Sequence, residues 1–297
     1  MHFFRNIIAF TYPDGMDFTA LEPAMELLAF QPCAAQAMSS EGFVPVLDEG
    51  TDAPRYTHQY GGCIVFSVQI ETRIVPPRVV DDVLHQRLAE IEAKEGRRPG
   101  GRERKRLKDD VIAELMAKSF TSKTRTRAMI DLERRLLLVD TSSRKVADGI
   151  ASHIRSALGS FPCVALTTRM PAMVWMTSVA RSGNLPKNLG LGDSCVIKGP
   201  DSAKVTIKKL DLRGEEVQGH LEAGMCISQL QLAYADQFTW VLDEALTVRQ
   251  FTCVAEVEMP DDGEVENELS ARMFLLSTHF RQLIDVLNDQ VGINFAN

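Results

Sequence analysis

The stretch from Pro76 to Arg127 constrains the fold more than any other part of the chain. Val80, Val83, Leu84, Leu88 and Ile91 fall at helical spacing, with Asp81 and Asp82 in the first turn, where the helix dipole favours negative charge. The pattern reaches about Glu95 and is broken by Gly96, Pro99, Gly100 and Gly101. A second helix resumes near Arg102, with Leu107, Val111 and Leu115 on its apolar side. Two helices joined by a Gly/Pro turn make a projecting helical hairpin over residues 76–120.

The tip of this hairpin is the densest basic site in the sequence. Arg97, Arg98, Arg102, Arg104, Lys105, Arg106 and Lys108 stand against one acid, Glu103. Lys118, Lys123, Arg125 and Arg127 follow unopposed. Between the clusters, Val111, Ile112, Leu115 and Met116 form a short apolar segment ending on Phe120. A charge run is usually a solvated helix face with internal pairs, here Glu103 with Lys105 or Arg106. One acid cannot neutralise seven bases, however, so the expectation is a cationic face left for an external polyanion.

Net charge alone argues the other way, because the 297 residues carry a formal −7. The charge is unevenly placed. Arg73 to Arg127 holds 15 basic and 9 acidic residues, leaving 18 basic and 31 acidic elsewhere. Charges separated by more than about 8 Å are largely screened at physiological salt, so a local basic face can hold a polyanion on an acidic protein.

With 45% apolar and 25% charged residues the composition is that of an ordinary soluble globular protein. No window approaches the roughly 20 apolar residues of a membrane helix, and MHFFRNIIAFTYPDG lacks a basic n-region and an apolar run of signal-peptide length. Cys33, Cys63, Cys163, Cys195, Cys226 and Cys253 show no paired metal spacing and mostly sit in apolar runs, as reduced core cysteines do. These features point to a cytoplasmic address with no membrane partner.

The remaining elements suggest an α+β fold built on antiparallel sheets with packed helices. Phe3 to Tyr12 reads as a strand closed by Pro13-Asp14-Gly15, followed by a helix carrying Leu21, Met25, Leu28 and Ala29 that stops at Phe30-Gln31-Pro32-Cys33. Gly42 to Leu47 and Cys63 to Val75 are further strands. Thr121 to Asp140 is a β-hairpin whose first arm alternates Lys123, Arg125 and Arg127 on one face, an arrangement suited to tracking phosphates. Leu136 to Val139, a helix over Val146 to Leu158 and Phe161-Pro162-Cys163 then echo the first 33 residues, which suggests two related halves. Pro171 to Arg181 is a short helix, and Ser182 to Gly192 a loop. Strands follow at Ser194–Lys198, Ala203–Lys208, Met225–Tyr234, Phe238–Leu242 and Leu246–Glu256, with a short helix near Glu215–Glu222. In the last helix Leu269, Met273, Leu276, Phe280, Leu283 and Leu287 form a heptad seam, which fits a helix laid on a sheet better than a dimer coiled coil. The expected portions are 1–75, 76–120, 121–170 and 171–297.

Enzyme signatures are mostly missing. There is no phosphate loop, dinucleotide fingerprint, HExxH or GxSxG, and the six histidines never pair at i+3 or i+4. No catalytic residue, metal ligand or cofactor is assigned. Asp131, Asp140, Asp211 and Asp243 lie near expected strand ends, where a nuclease could assemble magnesium, yet their spacing does not set them apart from turn residues. No base-reading motif is visible, so binding to phosphates without sequence preference is the economical expectation.

Nine segments in order carry a resemblance to a known family. They are Phe4-Arg5-Asn6, Phe30-Gln31-Pro32-Cys33, Gly42-Phe43-Val44-Pro45, Ser119-Phe120, Met129-Ile130-Asp131, Leu158-Gly159-Ser160, Ala180-Arg181-Ser182-Gly183, Ile207-Lys208-Lys209-Leu210-Asp211-Leu212 and His220-Leu221-Glu222-Ala223-Gly224. The chain resembles, over almost its whole length, the RdgC family of recombination-associated proteins. The resemblance implies a cytoplasmic, nucleoid-associated homodimer that closes as a ring around double-stranded DNA and restrains RecA-mediated recombination, with direct contact to RecA left open. It implies that Phe120 sits at the subunit contact closing the ring, with Lys209 in the partner region. Leu210 stands where the family often has glutamine, which puts the polar part of that contact in doubt. Lys208 and Lys209 complete the candidate DNA-contacting set. A ring also suits the charge pattern, since an acidic protein can line a channel with its few basic clusters and twofold symmetry doubles each of them. Phe120, between Lys118 and Lys123, is then an anchor rather than ordinary core. Two other classes remain, a metal-dependent nuclease using some of Asp131, Asp140 and Asp211, and a protein-only adaptor whose basic hairpin docks an acidic partner.

Overall fold

The computed structural model describes residues 4–46, 54–201, 203–254 and 265–296. Among these, the chain runs β1 (Ile7–Thr11), α1 (Leu21–Leu27), β2 (Ser39–Val44), β3 (Thr57–Tyr60), β4 (Cys63–Arg73), α2 (Pro77–Glu95), α3 (Gly101–Lys118), β5 (Thr121–Asp131), β6 (Leu136–Asp140), α4 (Arg144–Leu158) and β7 (Val164–Ala165). It continues through β8 (Thr167–Thr168), α5 (Ala172–Ser182), β9 (Leu189–Lys198), β10 (Lys204–Lys208), α6 (Glu215–Glu222), β11 (Cys226–Tyr234), β12 (Phe238–Asp243), β13 (Val248–Cys253), α7 (Val265–Val291) and β14 (Ile293–Asn294). The fold is α+β with a large antiparallel sheet. Phe3, Leu47, Ala255 and Glu256, expected in strands, lie outside the described residues.

Two compact units divide the chain. The first comprises residues 1–27, 45–67 and 126–297, and the second residues 28–44 and 68–125. In the first unit the strand order is β10-β9-β11-β12-β13-β1-β6-β5, with β4 next to β5. β1 and β6 pair from Ile7 with Asp140 to Thr11 with Leu136. Both read as unbroken apolar runs because both faces are covered. Ile7, Ala9, Leu136 and Leu138 join the core formed with α5, α6 and α7. Alternation turns Ile8, Phe10, Leu137 and Val139 to the opposite face, on the side of α4, whose Ala147, Ile150 and Ile154 are buried. The heptad seam of α7 is used within this unit: Met273, Leu276, Phe280, Leu283 and Leu287 are all buried in the same core.

The expectation of a loop from Ser182 to Gly192 is corrected at its C-terminal end. β9 begins at Leu189, and Leu189, Gly190 and Leu191 pair with Tyr234, Ala233 and Leu232. Asn188, Gly190 and Gly192 suggested turns, but here the glycine is used for a close approach. A side chain at Gly192 would meet the Gln231 side chain 2.6 Å away, and Gln231 Oε1 accepts from the Asp193 amide at 3.2 Å and the Ser194 hydroxyl at 2.9 Å beside a bulge in β11.

His58, on β3, is buried, with its Nε2 2.8 Å from the Ser270 hydroxyl and Nδ1 3.7 Å from the Glu266 carboxylate. Burial holds its pKa below the usual imidazole value of 6.5 against the opposing pull of Glu266, and burial lowers His279 as well. The unfolded chain therefore takes up protons first as pH falls, and the folded state loses stability below about pH 6.5. The urea midpoint should be flat above about pH 7 and decline towards about pH 5.5, with a smaller decline in His58→Gln. A midpoint that holds or rises over that window contradicts this account.

Candidate nucleic-acid interface

The second unit carries the helical hairpin where the Gly/Pro punctuation places it. Pro77 occupies the first turn of α2, where its missing N–H costs nothing. Gly96 ends the helix at φ 65°, returning its amide to the Glu92 carbonyl at 2.9 Å. α3 ends at Ser119, whose hydroxyl donates to the Met116 carbonyl at 2.9 Å. Val80 and Leu84 of α2 and Val111 and Met116 of α3 are the buried residues. Arg73, which sequence reasoning did not single out, fastens this unit: it donates to the carbonyls of Ala37, Met116 and Ala34, each at 3.0 Å. A guanidinium near the C-terminus of α3 is also favoured by the helix dipole.

The charge count along the tip changes once the helices lie side by side. Arg97 pairs with both Glu95 and Glu103 at 2.7 Å, and Arg98 with Glu92 at 2.9 Å. Lys108 reaches Asp81 at 3.3 Å, and Lys118 reaches Glu114 at 3.2 Å, where Arg87 also binds. The expectation of seven bases against one acid is therefore corrected. Acids on α2, invisible to a count along α3, neutralise several of the cations. Arg102, Arg104, Lys105 and Arg106 are exposed and have no ion pair among the described residues. At about 100° per residue Arg102, Lys105 and Arg106 fall within an arc of about 100°, while Arg104 points to the opposite side, so the first turns of α3 present one broad cationic face with a fourth cation behind it.

Along β5 the alternation is present but less free than the sequence suggests. Lys123 lies 4.0 Å from Glu71 and 5.7 Å from the centre of the Phe30 ring. Glu71 is held below the usual carboxylate range by the Cys33 amide, which donates at 2.8 Å, and then by Thr121, with Lys123 and Arg73 adding. Arg125 and Arg127 are only partly exposed. Phe120 is 84% exposed and belongs to no core; its carbonyl accepts from the Ile74 amide at 2.9 Å. In the first unit, Lys208 is exposed on β10, Lys209 follows with φ 56°, and Leu210 packs half-buried against the core.

The carboxylates considered for metal chemistry serve other ends. Asp131 Oδ1 accepts from the amides of Glu133 and Arg134 at 3.0 and 3.1 Å, and both its oxygens engage Arg281, at 2.7 and 2.9 Å. Asp140 accepts from the amides of Arg5 and Asn6, and burial raises its pKa against those bonds. Asp211 caps the Arg213 amide, and Asp243 binds the amides of Ala245 and Thr247 and the Arg249 guanidinium. Cys63, beside Arg281, is pushed up to about 12 by burial and then by Asp131, so its thiol stays protonated. Among the described residues no three His, Cys, Asp or Glu side chains are grouped as metal ligands.

A family model described as "Putative exonuclease, RdgC" matches residues 2–294. The chain belongs to the RdgC family. It is 36% identical to the recombination-associated protein RdgC of Xanthomonas campestris pv. campestris over 301 residues, covering 99% of both chains. It is 35% identical to the recombination-associated protein RdgC of Xylella fastidiosa over 302 residues, again 99% of both. The resemblance to the RdgC family over almost the whole chain is thus shown. No helix among the described residues is long and apolar enough to cross a membrane.

Proposed function

We propose that this RdgC chain is a double-stranded DNA-binding protein without sequence preference, acting as a homodimer that encircles the duplex and restrains RecA-mediated recombination at the nucleoid. The observation that carries this reading is the group of exposed cations at the start of α3 that have no carboxylate partner among the described residues. Such groups bind phosphate through release of counterions, and that term is blind to base sequence. The hairpin gives them reach, since a helix of α3's 18 residues is about 27 Å long. Lys123, Arg125 and Arg127 on β5 and Lys208 and Lys209 after β10 are the secondary contacts. The antiparallel pairing of β1 with β6, and the packing of α1 with α4, supports two related halves.

Phe120 is the proposed contact between subunits, with Lys209 and Leu210 on the opposing copy. An exposed phenyl ring gains from a partner surface what it lacks in its own fold. Phe120→Ser should shift the sedimentation coefficient towards monomer at low protein concentration and leave the melting temperature within about 1 °C, because surface substitutions alter stability by no more than about 0.5 kcal/mol. An unchanged sedimentation coefficient would take Phe120 out of the assembly contact.

A nuclease is the second reading, favoured by the wording of the family description. Asp131, Asp140 and Asp211 are engaged by arginine or by backbone amides, which makes them poor candidates for magnesium. Incubation of pure protein with linear and circular duplex plus magnesium separates the two: intact DNA with retarded mobility supports the binding protein, and shortened linear DNA supports the nuclease.

A further inference from the structure

In the first unit, one face of α4 and the short strand β7 border a cleft of about 400 Å³ that the DNA-binding reading does not use. Arg144, Asp148, Ser152 and Arg155 line one side, and Cys163, Val164 and Ala165 the other. Arg144 and Arg155 are eleven residues apart, close to three helical turns, so both side chains emerge on the same face. Both line the same cleft, and both guanidinium groups oppose the rise that burial gives the Cys163 thiol pKa. Arg144 is fixed: its Nε donates to Asp148 at 2.8 Å, and its guanidinium carbon lies 5.0 Å from the centre of the Phe10 ring. Arg155 donates to the Phe161 carbonyl at 3.4 Å and has no carboxylate partner among the described residues. A guanidinium carries five N–H donors, and these two leave most of theirs unspent. Asp148 offsets one charge, so the arginines and the carboxylate together carry one net positive charge. The Ser152 hydroxyl is already committed to the Asp148 carbonyl at 3.0 Å and adds no donor.

We propose that this cleft binds a phosphate group, held by Arg144 and Arg155 as a two-armed clamp. Planar guanidinium forks match phosphate oxygens in pairs. The cavity has the volume of a small-ligand pocket, so the phosphate can come from a free mononucleotide, or it can belong to a DNA backbone crossing the first unit. The site stands independently of the hairpin, because its residues and the cations of α3 lie in different compact units.

The full chain is titrated with inorganic phosphate, with dAMP and with a duplex oligonucleotide, at constant ionic strength set by chloride. Cys163 serves as a local reporter through its alkylation rate, mapped by mass spectrometry, with Cys33 as the control. Phosphate or dAMP should slow alkylation of Cys163 and leave Cys33 unaffected. Arg155→Gln should weaken that protection about tenfold or more, the loss of one charged contact. Asp148→Asn, which removes the competing carboxylate, should strengthen it. Protection by dAMP at concentrations where phosphate gives little assigns the site to a nucleotide. Protection by duplex alone, lost in Arg155→Gln and retained when the α3 cations are replaced, assigns it to the DNA backbone. Unchanged alkylation with all three probes, or protection equal in wild type and Arg155→Gln, overturns the proposal. Loss of duplex binding in the α3 variant, with phosphate protection intact, keeps the two readings apart.

Discussion

Alanine at Arg102, Arg104, Lys105 and Arg106 together should lower the slope of log affinity against log salt by roughly 2 to 4, each phosphate contact contributing close to 0.9. The range reflects their placement around the helix, since Arg104 points away from the face that Arg102, Lys105 and Arg106 share. Affinity should fall by a similar amount for unrelated duplex sequences, because phosphate contacts carry no sequence information. Alanine at Arg97 and Arg98 should do less, as both cations already satisfy carboxylates of α2 and α3. Filter binding across a salt series separates the cases. An unchanged slope in the fourfold variant would remove the hairpin from the interface, and a larger effect at Arg97 and Arg98 would show that the ion pairs open on binding.

The second large effect lies in the first unit. Asp131→Ala should destabilise the first unit by about 3 kcal/mol, since it removes both oxygens that hold the partly buried Arg281 guanidinium, leaving it Glu133 at 2.8 Å, and strips the Glu133 and Arg134 amides of their acceptor. In a unit of this size that is a drop of roughly 10 °C in melting temperature. Asp131→Asn should cost less, because an amide oxygen still accepts from Glu133 and Arg134. Pairing Asp131→Asn with Arg281→Met should recover part of the loss, because no charge is then stranded. If the losses in the double variant simply add, the two side chains are not coupled and the ion pair is not what holds this corner. The same variants probe the nuclease reading: a catalytic Asp131 would be silent in stability and decisive in cleavage.

The contrast between these two sites tracks what sequence can reveal. The hairpin was legible because its signals are local: helical spacing, proline at the start, glycine at the turn. Its net charge was not, because the pairing of Glu92 with Arg98 or Asp81 with Lys108 depends on how two antiparallel helices face each other. The seam of α7 was legible as a stripe, and its burial followed. Asp131 and Arg281 are 150 residues apart, and each reads as an ordinary surface charge on its own. β9 was missed at Leu189 because glycine and asparagine mark turns more often than bulged strands, while β3, β7, β8 and β14 are too short to show a period. Phe120 was noticed as an apolar residue among lysines, and its 84% exposure is what distinguishes an unburied side chain from the end of a core.

The cations of α3 have one more consequence, which concerns motion rather than affinity. Arg102, Lys105 and Arg106 share one broad face of the helix with Arg104 behind them, and none is clamped by a carboxylate among the described residues. A duplex resting on such a tip meets no preferred phosphate and no fixed angle of approach. Each contact can be exchanged for the next along the backbone with little change in energy, which is the condition for sliding and hopping. A protein held this way would travel along DNA without letting go of it, and its residence on any one stretch would be set by what encloses the duplex rather than by what touches it.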